Sequence, residues 1–154
     1  MTQDRLSARE LRAWRASFEM AERLRLRIEQ QLQTTSSLSN ADYTVLALLS
    51  EAPEGRLRVY QLGRAAGWEK SRLHHQLTRM CTRGLVARER TGSRGIEAVI
   101  TSKGMEALRG ALPGHTAEVR RSLIDALSAQ QLAQLEQIAG AVLAHLRDID
   151  GEPA

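Results

Sequence analysis

The side chains best suited to bind a ligand lie between residues 70 and 83, a segment without carboxylates. Leu73, Leu77 and Met80 fall within a narrow arc of a helical wheel, which predicts a helix that buries them. The side chains outside that arc donate hydrogen bonds or carry positive charge: Lys70, Ser71, Arg72, His74, His75 and Arg79. A solvated helix normally mixes charges of both signs. A face with only donors and cations is typical of a helix that enters the major groove of a duplex.

A second basic element follows along the chain. Strand-like segments at 85–90 and 96–100 flank a turn that contains Gly92 and Gly95, and this pattern predicts a β-hairpin. Three arginines stand on or beside its tip: Arg88, Arg90 and Arg94. An arginine on such a loop, at 90–96, is suited to a narrow minor groove, where the negative potential is concentrated.

The charge of the chain is concentrated in its middle. The 154 residues carry a formal net charge of +4. Residues 54–94 hold ten basic and three acidic side chains, a net charge of +7, whereas the remainder holds twelve and fifteen, a net charge of −3. A basic segment between mildly acidic ends predicts an anionic partner for the middle alone.

Other classes of function find little support. Cys81 is the one cysteine, so no intramolecular disulfide can form. His74 and His75 are adjacent on a helix and point about 100° apart, which does not suit a shared metal ion. The sequence contains no recognisable catalytic triad, phosphate-binding glycine loop or carboxylate pair, so we expect no enzyme, metal or cofactor. With no secretory signal and no long apolar run, a cytoplasmic location is expected.

The predicted elements place these residues in a winged helix-turn-helix. A short strand at 57–59 and a helix up to Ala66 precede a turn at 67–69, the basic helix at 70–83 and the hairpin. Long amphipathic helices are predicted at 7–33 and after Ser128. A further helix begins at Ser102, and Pro113 is expected to kink or interrupt it before it resumes over 119–127. The expected fold is mainly α with a small β-hairpin wing.

Segments in this order resemble the MarR family of winged-helix regulators over about seventy residues. The matching segments are Leu38-Ser39-x-x-Asp42-Tyr43-x-Val45-Leu46, Leu62-Gly63-x-Ala65-Ala66-Gly67-Trp68, Gly84-Leu85-Val86-x-Arg88 and Arg94-x5-Ile100-Thr101-x-x-Gly104. The family usually has an aspartate two residues before the wing arginine, where this chain has Gly92. The resemblance implies that Arg94 lacks the salt bridge with which that aspartate braces the wing.

The resemblance also implies a triangular homodimer in which each subunit presents one winged helix to half of a palindromic operator. Residues 1–36 and 102–150 would form the helical dimerisation region, and residues 38–101 the DNA-binding lobe. Terminal helices of this length need a partner surface, and their apolar residues could serve either the dimer or the core of one chain. The interface candidates are Trp14, Phe18, Ile28, Leu135, Ile138, Val142 and Leu146.

Members of the family often bind small aromatic effectors between these two regions. Trp14, Phe18 and Tyr43 are the candidates for such a pocket, and core packing is the alternative for each of them. The predicted function is sequence-specific regulation of transcription, as a repressor by resemblance. The alternative is a winged-helix module that binds protein and not DNA. An apolar anchor on the 70–83 helix would favour that alternative.

Overall fold

The computed structural model of the chain describes residues 5–92 and 95–151, and it is a predominantly helical fold with one small sheet. The elements are α1 (Ala8–Thr35), α2 (Asn40–Glu51), β1 (Arg56–Arg58), α3 (Val59–Ala66), α4 (Lys70–Thr82), β2 (Val86–Thr91), β3 (Gly95–Ile100), α5 (Ser102–Ser122) and α6 (Ala129–Ile149). A 3₁₀ turn at Pro53–Gly55 precedes β1, and another at Ile124–Ala126 precedes α6. The predicted winged helix-turn-helix, mainly α with a β-hairpin wing, is confirmed.

The sheet is antiparallel, with the strand order β1-β3-β2. In the hairpin of β2 and β3, Val86 lies opposite Ile100 and Arg90 lies opposite Ile96. β1 joins the other side of β3, where Arg56 pairs with Val99. Because β1 leads directly into α3, the sheet ties α3, the first helix of the helix-turn-helix, to the base of the wing.

Serines cap the starts of α1, α2 and α6. Ser39 accepts a hydrogen bond from the Asp42 amide, and the Asp42 carboxylate accepts one from the Ser39 amide. Ser128 and Gln131 form the same reciprocal pair at the start of α6. Ser7 caps α1 with Glu10 as its partner. Each pair satisfies two amides that a helix terminus would otherwise leave unbonded.

The core is aliphatic and is built around α2. Leu46, Leu49, Leu62, Leu77 and Met80 are fully buried there. The end of α1 and the first part of α5 close this core, through Leu32 on one and Leu108 and Ala111 on the other. Helices α1 and α5 therefore each have a segment that packs on the winged-helix lobe.

Pro113 does not interrupt α5, which is continuous from Ser102 to Ser122, so the expected break at this proline is wrong. Proline removes one backbone donor, which here leaves the Arg109 carbonyl without its helical partner. Arg109 and Pro113 are both exposed, so water can bond that carbonyl. The helix ends nine residues beyond the proline, and the predicted helix over 119–127 is replaced by the end of α5 and a 3₁₀ turn.

The chain divides into two compact units, one up to Glu118 and one from Val119 onward. The first contains the winged helix with α1 and most of α5. The second contains the last turn of α5 and α6. No helix within residues 5–92 or 95–151 is long and apolar enough to cross a membrane.

Candidate nucleic-acid interface

The turn between α3 and α4 sets the angle between these two helices. Gly67 ends α3 with φ +65°, in the left-handed region that glycine adopts without a Cβ penalty. The Trp68 amide then donates to the Gly63 carbonyl at 3.0 Å, and the Trp68 side chain packs against the core. The predicted helix-turn-helix is present in the predicted place.

Helix α4 buries one side and exposes the other, as its apolar spacing predicts. Leu73, Leu77 and Met80 are at most 2% exposed. The six candidate residues of this helix are all exposed: Lys70, Ser71, Arg72, His74, His75 and Arg79. The structure therefore brings them together on one surface, which we call the α4 donor face. Thr78 and Thr82 are exposed beside them.

An aromatic ring orients Arg72 on this face. The guanidinium carbon of Arg72 lies 4.4 Å from the centroid of the Trp68 ring. Such a cation–π contact attracts the charge to the ring face and restricts the long side chain. Arg72 is therefore held at the start of α4, beside the helix N-terminus, instead of sampling solvent freely.

Among the wing candidates, Arg88 has a role that spacing alone did not reveal. Its Nη2 donates to the His74 carbonyl at 2.9 Å and to the Thr78 Oγ1 at 3.2 Å. The arginine thus fastens β2 to the middle of α4. Arg90 is exposed farther along β2, opposite the exposed Ile96. Arg94 lies outside the described residues.

An ion-pair cluster braces the wing from its other face. Glu89 and Glu97 lie directly opposite each other on β2 and β3. Nη1 of Arg56 on β1 donates to Glu89 at 3.1 Å and to Glu97 at 3.3 Å, and these bonds, with Glu97 first, raise the pKa of Arg56. Like charges opposite one another in a sheet are destabilising unless a cation lies between them. This cluster ties all three strands together. It braces the wing in a chain that has Gly92 at the position where the family resemblance led us to expect a bracing aspartate.

We expect Arg88→Met to lower the free energy of unfolding by about 1 kcal/mol, since it keeps the aliphatic stem but removes two hydrogen bonds. Arg90→Met is the matched control, because Arg90 is an exposed arginine two residues along the same strand. Urea unfolding of both variants measures the difference. Equal midpoints for the two variants would show that the Arg88 contacts to α4 do not stabilise the fold.

Three polar residues behind the α4 donor face were not among the sequence candidates. Asp42 pairs with Ser39 at the start of α2, and it also accepts hydrogen bonds from Gln76 and Arg83. Gln76 is 3% exposed among the apolar residues of α4. Helical spacing could have identified two of these residues. Gln76 lies on the helical wheel beside Leu73, Leu77 and Met80, and Arg83 lies two turns farther along the same side.

The interface candidates on the terminal helices differ in exposure. Trp14 and Phe18 on α1 are 59% and 64% exposed, with ring centroids 5.9 Å apart. On α6, Ile138, Val142 and Leu146 are large, apolar and exposed, whereas Leu135 is half-buried. Ile28 packs against the core of its own chain, so the intrachain alternative applies to it.

Within one chain the structure does not bring the three effector-pocket candidates together. Tyr43 is buried and stacks on His115, with ring centroids 4.0 Å apart. An added Cβ on Gly114 would lie 2.5 Å from the Gln31 amide nitrogen, so Gln31 lies next to the residue that precedes His115. Trp14 is seventeen residues before Gln31 on α1, or about 25 Å along the helix axis. Burial raises the pKa of Tyr43 and lowers the pKa of His115, which keeps both rings neutral at neutral pH.

The chain is similar to solved structures of transcription regulators. AbsC from Streptomyces coelicolor, a MarR family transcriptional regulator, is 38% identical, with a TM-score of 0.88 over 95% of this chain and 99% of its own. Sco3205 from the same organism, another MarR family regulator, was solved in complex with DNA and is 35% identical, with a TM-score of 0.88 over 92% of this chain and 94% of its own. A mutant MarR from E. coli complexed with operator DNA shares the fold, at 19% identity and a TM-score of 0.75 over 84% of this chain and 91% of its own.

No protein-family model and no curated protein sequence matches the chain. The family is instead established by identity above 30% over nearly the whole length of two solved regulators, together with the winged helix described above. The sequence identity and the fold both agree with the motif resemblance found in the sequence. The chain belongs to the MarR family of transcriptional regulators.

Proposed function

We propose that the chain is a homodimeric, sequence-specific DNA-binding protein that represses transcription from a pseudo-palindromic operator. In this proposal α4 enters the major groove and the wing at 90–96 contacts the minor groove. The observation that carries the proposal is the α4 donor face, on which every exposed residue from Lys70 to Thr82 carries a donor or is small. The DNA complex of Sco3205, a relative at 35% identity, supports the same assignment.

The fixed geometry around α4 further supports DNA binding. Arg72 is stacked on Trp68 and Arg88 links the wing to α4, so helix and wing are presented as one unit. Preorganised cations lose less side-chain entropy on binding a rigid polyanion. The α4 donor face offers no apolar anchor, which favours a nucleic acid over a protein as its partner.

The dimer is proposed from the exposed apolar residues of α1 and α6. Trp14 and Phe18 on α1, and Ile138, Val142 and Leu146 on α6, leave large apolar areas in solvent. Such surfaces in a monomer are typical of interaction sites. A two-fold dimer would place two copies of α4 about one helical turn of DNA apart, which is why the operator is proposed to be pseudo-palindromic.

A small aromatic effector, of the kind that the family resemblance implies, is proposed to bind beside the stacked rings of Tyr43 and His115. Nδ1 of His115 and Oε1 of Gln31 are buried polar atoms without a hydrogen-bond partner among the described residues. A phenol could donate to Oε1 of Gln31, a carboxylate could accept from a protonated Nδ1 of His115, and the ring of either could stack on the neighbouring rings. Trp14 and Phe18 are left to the dimer surface in this proposal.

The salt dependence of duplex binding tests the proposed function. A duplex selected from a random pool is titrated with protein, and the affinity is expected to fall roughly a thousandfold between about 50 and about 200 mM salt, as release of counterions from six or more phosphates requires. Lys70→Ala should reduce the slope, whereas Arg15→Ala on α1, outside the basic middle of the chain, should leave it unchanged. An affinity that does not change with salt, or a pool from which no sequence is enriched, would contradict the proposal.

A further inference from the structure

The buried side of α4 carries one amide among its apolar residues. Gln76 is 3% exposed, and Asp42 on α2, which faces it, is also 3% exposed. A buried carboxylate and a buried amide are costly unless their hydrogen bonds are satisfied. The hydrogen-bond partners of these two groups therefore show which other side chains the pair positions.

Each oxygen of Asp42 has a different set of donors. Oδ1 accepts from Nε2 of Gln76 at 2.7 Å. Oδ2 accepts from Nη1 of Arg83 at 2.7 Å and from the Ser39 amide at 2.9 Å. Arg83 also donates through Nη2 to the Ser37 carbonyl at 2.6 Å. One carboxylate thus joins Gln76 in α4, and Arg83 two turns later at the end of this helix, to the start of α2.

The bond to Asp42 determines which way the Gln76 amide faces. With Nε2 held by the carboxylate, Oε1 is turned to the other side, where it accepts from Nη2 of Arg79 at 2.6 Å. Oε1 is the acceptor of this amide, and a reversed amide would present NH₂ to the guanidinium. Two donors facing each other cannot bond, so Arg79 keeps its position only while Asp42 accepts from Nε2.

We propose that Asp42 is a positioning residue for sequence recognition, which acts through Gln76 to fix the guanidinium of Arg79 on the α4 donor face. The bond to Gln76 uses one N–H of Arg79 and leaves its other donors for a base edge or a phosphate. Asp42 lies behind α4 and is buried, so it acts without touching DNA. The inference rests on the proposed function, because it assigns Arg79 a role in sequence discrimination.

Asp42→Asn tests the direction of the amide. Asn has one acceptor, and the Ser39 amide and Arg83 both need it, which leaves the Asn NH₂ facing Gln76. The Gln76 amide must then reverse and present NH₂ to Arg79. We expect Asp42→Asn to lower discrimination against the wrong base pair about tenfold at the operator position that Arg79→Ala also affects.

A reciprocal pair of substitutions supplies the matched rescue. Gln76→Glu alone places two carboxylates in contact and should destabilise the fold. In Asp42→Asn/Gln76→Glu the Asn NH₂ donates to one Glu oxygen, the other Glu oxygen accepts from Arg79, and the Asn oxygen still accepts from Arg83. The double variant is expected to regain discrimination to within about twofold of the unmodified protein.

Arg83→Met separates positioning from general stability. It removes a donor from the other oxygen of Asp42 and leaves the bonds of Gln76 in place, so it should lower the unfolding midpoint with little change in base preference. The measurement is the affinity of each variant for the selected duplex and for its single-base-pair variants, beside urea unfolding.

The outcomes distinguish this inference from the proposed function. If the unmodified protein selects a duplex and binds it tightly, DNA recognition is supported. If Asp42→Asn then lowers affinity equally for all single-base-pair variants, or if its effect persists in full in an Arg79→Ala background, the positioning role is wrong. If the unmodified protein enriches no sequence, the proposed function itself has failed.

Discussion

Gly104→Ala is expected to lower the free energy of unfolding by about 3 kcal/mol or more, a larger effect than any other single added methyl group should have in α5. A Cβ built on Gly104 lies 2.1 Å from the Leu85 carbonyl oxygen and 3.0 Å from Cδ2 of Leu46. The nearest atom belongs to the backbone and cannot rotate away. To accept the methyl group, α5 would have to move away from the strand that begins the wing.

This close approach is held by a hydrogen-bonded junction. The single hydroxyl proton of Thr101 is shared between the carbonyl oxygens of Gly84, at 2.6 Å, and Leu85, at 3.0 Å, and the hydroxyl oxygen accepts from the Gly104 amide. The junction brings the start of α5 against the end of α4 and the start of β2. A displaced α5 would therefore disturb the base of the wing as well as the core.

Gly110→Ala is the matched control on the same helix. Nothing lies within 4 Å of a Cβ at Gly110, so the added methyl group should instead stabilise α5 by roughly 0.5–1 kcal/mol through helix propensity. Thermal and urea unfolding of the two variants should give shifts of opposite sign. A Gly104→Ala protein as stable as the unmodified chain would show that α5 does not pack this closely on Leu85.

The elements that the sequence predicts well are those fixed by local rules. The start of α6 after Ser128, the turn at 67–69 and the apolar spacing of α4 each depend on residues within one or two helical turns. The structure agrees with all three. The exposed residues of α4 follow from the same wheel, because a helix that buries one stripe must expose the rest.

The features that were missed depend on distant contacts. Asp42 is a helix cap by spacing, but its bonds to Gln76 and Arg83 cross 34 and 41 residues of sequence. The Arg56 cluster likewise joins three strands. Pro113 was expected to break α5, yet Ala111 before it and Glu118 after it are buried, and burial on both sides keeps the helix continuous. Local propensity cannot predict these contacts, because they join residues that are distant in sequence and meet only in the folded chain.

Ile138→Glu is expected to weaken the proposed dimer at least about a hundredfold, because it places an unpaired carboxylate in an apolar contact surface. Ile138 is 63% exposed, and Val142 and Leu146 continue the same side of α6. A residue already in solvent contributes little to the fold of one chain, so the unfolding midpoint measured at low concentration should change little. Sedimentation equilibrium over a range of protein concentrations measures the dimer constant directly.

Gln137→Glu supplies the control, since it adds the same charge one residue earlier, on a different side of the exposed helix. It should leave the dimer constant within about twofold, a difference typical of surface substitutions. The two variants also separate assembly from DNA contact. With Ile138→Glu, affinity for a full pseudo-palindrome should fall toward that for a single half-site, since the two winged helices no longer bind as one unit. If the Ile138→Glu protein remains dimeric at the concentrations where the unmodified chain is dimeric, this side of α6 is not part of the dimer interface.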